Sequence, residues 1–231
     1  MSHLIEVSYV KLPLIPIQDL IPYLSLLTDE EKGVFHRYKV DHKKVEFLLG
    51  RLLLKSALSS RLGIHPEEIT FCKNEYGKLF LTKNSQPSVH FNLSHTHGLL
   101  ACAVTTECEV GIDVEGTHED HLGVMKTVFV ENEISYIQQQ RSDEEKQKAF
   151  YRIWTRKEAV MKAIGKGFSL PPLSFSVPTE TDADSRFFFY TESLAEGFLL
   201  SGAISNVVND PTWEIEELTW STLLEQYLPY V

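Results

Sequence analysis

Cysteine is scarce in this 231-residue chain: Cys72, Cys102 and Cys108 are the only three, and no two have C-x-x-C spacing. An odd count at long spacing argues against a disulfide framework and for free thiols in a reducing, cytoplasmic compartment. Excess positive charge is missing too. Twenty-two Lys and Arg against 32 Asp and Glu leave a net charge of −10, which argues against a nucleic-acid partner, because a backbone binder presents a basic surface. No apolar run approaches the roughly 20 residues of a membrane-spanning helix. The opening stretch MSHLIEVSYVKLPLIPIQDL has no basic region ahead of a clean apolar segment, and Pro13 and Pro16 interrupt it. A signal peptide is therefore not expected. What is present is an ordinary globular composition, 43% hydrophobic and 23% charged, with enough material for one large domain or two small ones.

The pattern along the chain predicts mixed elements. LTDEEKGVFHRYKV reads as a short helix opened by a capping box, Thr28 with Glu31. A longer helix follows, capped by Asp41, striped by Val45, Leu48, Leu49, Leu52 and Leu53, and ended by Gly63. ITFCK, KLFL, VHFNL, LLACAV and EVGIDVE then read as strands, separated by the turns NEYG, NSQPS, SHTHG and TTEC. Residues 117–140 read as helical, and KQKAFYRIWTRKEAVMKAIG as a strong helix with Phe150, Ile153, Trp154, Val160, Met161 and Ile164 on its apolar side. Beyond Pro171-Pro172, SFSV, RFFFY, FLLSGAIS and WEIEELTW predict further strands. The order helix, strands, helix, strands occurs twice, with GRLLLKSALSSRLG and WTRKEAVMKAIGKG in matching places. This predicts a duplicated α+β unit with its boundary near residue 108, giving units at 1–108 and 109–231.

Three segments hold groups suited to chemistry. In GIDVEG, Asp113 and Glu115 share one face of a strand. Alone, the pair reads as the solvated face of an edge strand; its functional reading is a hard-cation site, since magnesium takes one or two carboxylates plus water and phosphate oxygens. In WTRKEAVMK, Glu158 and Lys162 are one helical turn apart, an ordinary surface pair. Lys157, Lys162 and Lys166 near that carboxylate also suit a phosphate-rich ligand beside a metal. AIGKGFS is not a P-loop, because Gly167 follows the lysine. FNLSHTHG reads as a loop with three readings: a polar turn, a zinc site at His95 and His97, or a phosphate site at Ser94 and His95 with Lys78 nearby.

NEYGK, FNLSHT, GIDVE and WTRKEAVMKAIGKG, in this order and spacing, resemble the 4′-phosphopantetheinyl transferases of the surfactin-synthetase-activating type, from about residue 28 to about residue 177. The resemblance implies an α+β fold of two similar subdomains related by pseudo-twofold symmetry, with the active site at their interface. It implies transfer of 4′-phosphopantetheine from coenzyme A to a serine of an apo peptidyl, acyl or aryl carrier protein, as in secondary metabolite biosynthesis, releasing adenosine 3′,5′-bisphosphate. Asp113, Glu115 and Glu158 would bind Mg2+. Ser94, His95 and Lys78 would lie on the coenzyme phosphates, with His95 at the 3′-phosphate. Lys162 would neutralise the pyrophosphate, Lys157 would assist, and Glu133 matches an acidic position that helps arrange the site. Glu158, or a metal-bound water beside it, is the candidate base. Both halves in one chain resemble the family's monomeric type.

One departure stands out. The family often has lysines in the first helix and an arginine just before the segment matched by FLLG, where this chain has Glu31, Val34 and Glu46; Lys43, Lys44 and Arg51 are the candidate substitutes. Two other functions compete with transfer: a metal-dependent hydrolase using His95, His97 and Asp113, and a non-catalytic relative that binds coenzyme A or carrier proteins.

Overall fold

The computed structural model describes residues 3–82, 88–119, 121–194, 197–205 and 211–231. It begins with a strand, β1 (His3–Lys11), which the pattern of runs and turns does not anticipate. The capping box at Thr28 forms as expected. The Glu31 amide donates to Thr28 Oγ1 at 3.3 Å and the Thr28 amide to Glu31 Oε2 at 3.1 Å, opening α1 (Asp29–Arg37). In α2 (Asp41–Leu62), Asp41 is the first helical residue rather than the cap; Gly63 ends the helix at φ +66°, a left-handed conformation that suits glycine.

Five strands follow: β2 (Phe71–Lys73), β3 (Leu79–Leu81), β4 (His90–Thr96), β5 (Leu99–Thr105) and β6 (Val110–Gly116). FNLSHTHG is therefore strand through Thr96, with only the turn at His97 and Gly98 outside it. Of the NSQPS turn, residues 84–87 lie outside the described residues. Next come α3 (Met125–Val128), α4 (Glu131–Gln138) and α5 (Asp143–Ile164). α5 starts ahead of KQKAF because Ser142 and Glu145 form a second capping box. The chain closes with β7 (Phe187–Leu194), β8 (Phe198–Ser205), β9 (Pro211–Leu218) and α6 (Trp220–Glu225). SFSV is not a strand. Lys157 Nζ donates to the Phe175 carbonyl at 2.6 Å and the Val177 amide donates to Glu133 at 2.9 Å, so side chains take the bonds a neighbouring strand would have made.

The strands form a sheet β4-β5-β1-β9, a sheet β6-β8-β7 and the hairpin β2-β3. α2 packs on one face of the first sheet, against Leu100, Cys102 and Val104. α4 and α5 cover one face of the second, against Leu199 and Ala203. The remaining faces meet in a third core, Ile5, Val7, Leu99, Ala101 and Ala103 against Val110, Ile112, Val114, Leu200 and Ile204. The result is a mixed α+β stack of helices, sheet, sheet and helices. Its last elements return to the first sheet: β9 lies parallel to β1, and α6 packs on α2.

One local device occurs twice. A glutamate in the first turn of a short helix, Glu31 in α1 and Glu133 in α4, accepts its own N-cap amide. A buried lysine of the following long helix donates to two carbonyls of the next loop: Lys55 to Pro66 and Ile69, Lys157 to Pro172 and Phe175. Gly63 and Gly165 close the two helices in left-handed conformations. The same residue interval separates Glu31 from Glu133, Lys55 from Lys157 and Gly63 from Gly165.

Candidate active site

The polar face of β4 joins the two sheets. Asn92 Oδ1 accepts the Ile112 amide at 3.1 Å, Ser94 Oγ accepts the Val114 amide at 3.2 Å, and Thr96 Oγ1 donates to Glu115 Oε2 at 3.4 Å. Side chains on β4 thus take the place of a neighbouring strand along β6. The alternation Asn-x-Ser-x-Thr is the sequence signal of this ladder, and reading the segment as a loop hides it.

α5 reaches the same strand from the other side. A Cβ placed on Gly111 would lie 1.9 Å from the Ala159 carbonyl oxygen and 2.4 Å from the Ala163 amide nitrogen. Only glycine admits so close an approach. It brings Lys162 to Asp113, with Nζ 2.6 Å from Oδ1 and 2.8 Å from Ser94 Oγ. Ser94 Oγ is itself 3.0 Å from the same Asp113 oxygen. Further along β6, Glu115 Oε1 accepts from Trp154 Nε1 at 3.3 Å. Trp154 and Thr96 lie within WTRKEAVMK and FNLSHT, but the sequence pattern reads Trp154 as an apolar helix residue and gives Thr96 no role.

Charge is crowded here. Asp113 is buried, and its second oxygen, Oδ2, has no hydrogen-bond partner. Burial, together with the charges of Asp113 and Glu115, raises the Glu158 carboxyl to about 7 against the opposing effect of Lys162. Burial and the Asp113 charge raise Glu115 as well. Asp113, Glu115 and Glu158 therefore share one electrostatic field. Among the described residues no three Asp, Glu, His or Cys groups converge as a ready metal cage, and the ammonium of Lys162 provides the positive charge at Asp113. Hard oxygen donors, one of them buried and unpartnered, nevertheless form a donor set that fits a divalent cation such as magnesium.

His95 is exposed at the end of the β4 face that carries Phe91 and Leu93; desolvation lowers its pKa, and the nearby Lys43 and Lys162 add to this against Glu46 and Asp113. α2 runs alongside: the His42 ring is 6.4 Å from that of His97, and Gly50 lies against Leu93. Lys43 donates to Glu46 at 2.6 Å, Lys44 pairs with Asp41, and Arg51 pairs with Glu31 in the interior. Of the three candidate basic substitutes, Lys43 is the one whose charge acts on His95.

Two residues expected at the coenzyme have protein partners. Lys157 is fully buried, 2.9 Å from Glu133, with the Pro172 and Phe175 carbonyls taking its other protons. Glu133 also accepts the Val130 and Val177 amides, so the pair ties α4, α5 and the following loop together. Lys78 faces Glu109 and the Ala163 carbonyl. Beside Glu115 opens a cleft of about 840 Å³, lined by Leu12, Thr96, Val124, Trp154 and Phe198 among others. No helix among the described residues is long and apolar enough to cross a membrane.

Two family models match the chain: "4'-phosphopantetheinyl transferase, N-terminal" over residues 16–107 and "4'-phosphopantetheinyl transferase superfamily" over residues 109–202. The chain is 36% identical to the 4'-phosphopantetheinyl transferase gsp of Aneurinibacillus migulanus over 173 residues, 74% of this chain and 70% of that protein. It is 32% identical to the 4'-phosphopantetheinyl transferase Sfp of Bacillus subtilis (strain 168) over 160 residues, 69% of this chain and 70% of that protein. It is 27% identical to the L-aminoadipate-semialdehyde dehydrogenase-phosphopantetheinyl transferase of Xenopus laevis over 201 residues, 82% of this chain and 63% of that protein.

Proposed function

Because the chain belongs to the 4′-phosphopantetheinyl transferase superfamily and is an enzyme of that class, we propose that it transfers 4′-phosphopantetheine from coenzyme A to a serine of an apo carrier protein, with Asp113, Glu115, Glu158 and Lys162 as its working groups. The observation that carries this reading is the cluster of buried Ser94 and Asp113 with half-buried Lys162, with Asp113 Oδ2 unpartnered beside two further carboxylates.

In the reaction, the carrier serine oxygen bonds to the phosphorus that bears pantetheine, and the bond from that phosphorus to the other phosphate breaks. Adenosine 3′,5′-bisphosphate leaves. The serine proton passes to Glu158 as general base, a carboxyl that burial and the charges of Asp113 and Glu115 make more basic in the metal-free protein. Lys162 places its ammonium where charge grows on the pyrophosphate oxygens, and such stabilisation is stronger in the transition state than in the ground state. Ser94 and His95 bind the coenzyme phosphates, with Lys43 beside His95. Asp113, Glu115 and Glu158 would hold Mg2+, which would neutralise phosphate charge. The cleft beside Glu115 receives the pantetheine arm or the carrier's serine loop.

The repeated glutamate, lysine and glycine device supports two copies of one unit, within 1–108 and 109–231, related by a pseudo-twofold axis, with β9 and α6 returning to the first sheet. The enzyme works as a cytoplasmic monomer, in keeping with three free cysteines and both halves on one chain. The test is to follow adenosine 3′,5′-bisphosphate by chromatography. Its release should require coenzyme A, Mg2+ and a carrier that retains its serine. Release from coenzyme A without a carrier, or none with any carrier, would count against transfer.

A further inference from the structure

The turn between β2 and β3 grips the end of α5. Asn74 Nδ2 donates to the Gly165 carbonyl at 2.8 Å, and Lys78 Nζ donates to the Ala163 carbonyl at 2.8 Å. The last carbonyls of a helix have no partner within it, and a cation there also suits the helix dipole. The grip is rigid on both sides. In the turn, Asn74 Oδ1 accepts the Tyr76 amide at 3.0 Å and the Lys78 amide at 2.9 Å. Lys78 is only 6% exposed and pairs with Glu109, whose other oxygen is 3.1 Å from His90 Nδ1. On the helix side, Gly165 takes φ +76°, and a Cβ there would lie 2.7 Å from Lys78 Cδ. The gripped turn holds Lys162, the residue next to Ala163, whose ammonium meets Asp113 and Ser94.

We propose that Asn74 and Lys78 are positioning residues: by fixing the last turn of α5 they set the line along which Lys162 reaches Asp113 and Ser94. This rests on the reading of Lys162 given above. Lys78 then serves the reaction through α5, and its ammonium makes no contact with coenzyme A.

Two variants separate this role from coenzyme binding. Asn74→Asp keeps the oxygen that accepts the Tyr76 and Lys78 amides but sets a carboxylate oxygen against the Gly165 carbonyl. Lys78→Met keeps an unbranched stem and removes the ammonium. Each is measured for coenzyme A affinity by calorimetry, kcat with an apo carrier, and amide exchange across residues 161–165. The expected result is a kcat lower by about tenfold or more, a coenzyme A Kd within about threefold of the parent, and faster exchange in that turn, since small displacements at a site cost rate steeply. Coenzyme A binding weakened by about tenfold, an unchanged kcat, or unchanged exchange would overturn the proposal, the first by making Lys78 a coenzyme ligand. Should the parent protein itself fail to transfer, the reading of the site fails, and the exchange comparison still decides whether the turn holds α5. Asn74→Asp carries the test if Lys78→Met does not fold.

Discussion

The Ser94 hydroxyl on β4 lies 3.0 Å from Asp113 Oδ1 on β6 and accepts the Val114 amide at 3.2 Å. One oxygen atom thus joins the two sheets and orients the carboxylate most central to the site. Replacing Ser94 with Ala leaves a buried amide and a buried carboxylate each short of a partner. The expected loss is about 1–3 kcal/mol in urea unfolding, with transfer falling as well.

Asp113→Ala removes the carboxylate that Lys162 and Ser94 both meet. Transfer should fall by about 100-fold or more, the scale of losing a group that stabilises transition-state charge, while the far-UV circular dichroism stays that of the parent. A variant of parental activity would show that the cluster is not the reacting centre.

Glu158 is raised to about 7 by burial, Asp113 and Glu115. In the metal-free protein it binds a proton below pH 7 and loses it above. Stability from this group is therefore greatest at low pH and declines as pH rises through about 7. Magnesium has to displace that proton, so its affinity should rise between about pH 6 and pH 8, with proton release visible in calorimetry run in two buffers. Glu158→Gln should flatten this pH dependence and lower turnover more than coenzyme A binding.

Lys157 and Glu133 form a fully buried pair. Lys157→Met strands a buried carboxylate and should cost about 3–5 kcal/mol in denaturant unfolding. Adding Glu133→Gln should recover part of that loss. Coenzyme A affinity of the folded Lys157→Met protein should match the parent, because the lysine does not reach the cleft.

The two long helices were legible because each carries an apolar stripe, and Gly63 marks the end of the first; the capping box at Ser142 that starts α5 ahead of KQKAF goes unread in that pattern. Asp113, Glu115, Glu158 and Lys162 were legible as motif residues. The partners of Lys78 and Lys157 were not, since Glu109 with Ala163 and Glu133 with Phe175 meet them only once α5 has docked. β1 was hidden by its place at the start of the chain. Ile5, Val7 and Tyr9 show the period of two, but the strand's partners β5 and β9 lie far along the sequence. SFSV has the composition of a strand, yet its backbone bonds go to a lysine and a glutamate, which local pattern does not encode.

Intact-mass measurement of an apo carrier protein, after incubation with this enzyme, coenzyme A and Mg2+, tests the central claim most directly. The account predicts a gain of one phosphopantetheine group on the carrier serine, abolished by a chelator and by Asp113→Ala. Unchanged mass across peptidyl, acyl and aryl carriers, or a gain that survives Asp113→Ala, would contradict it.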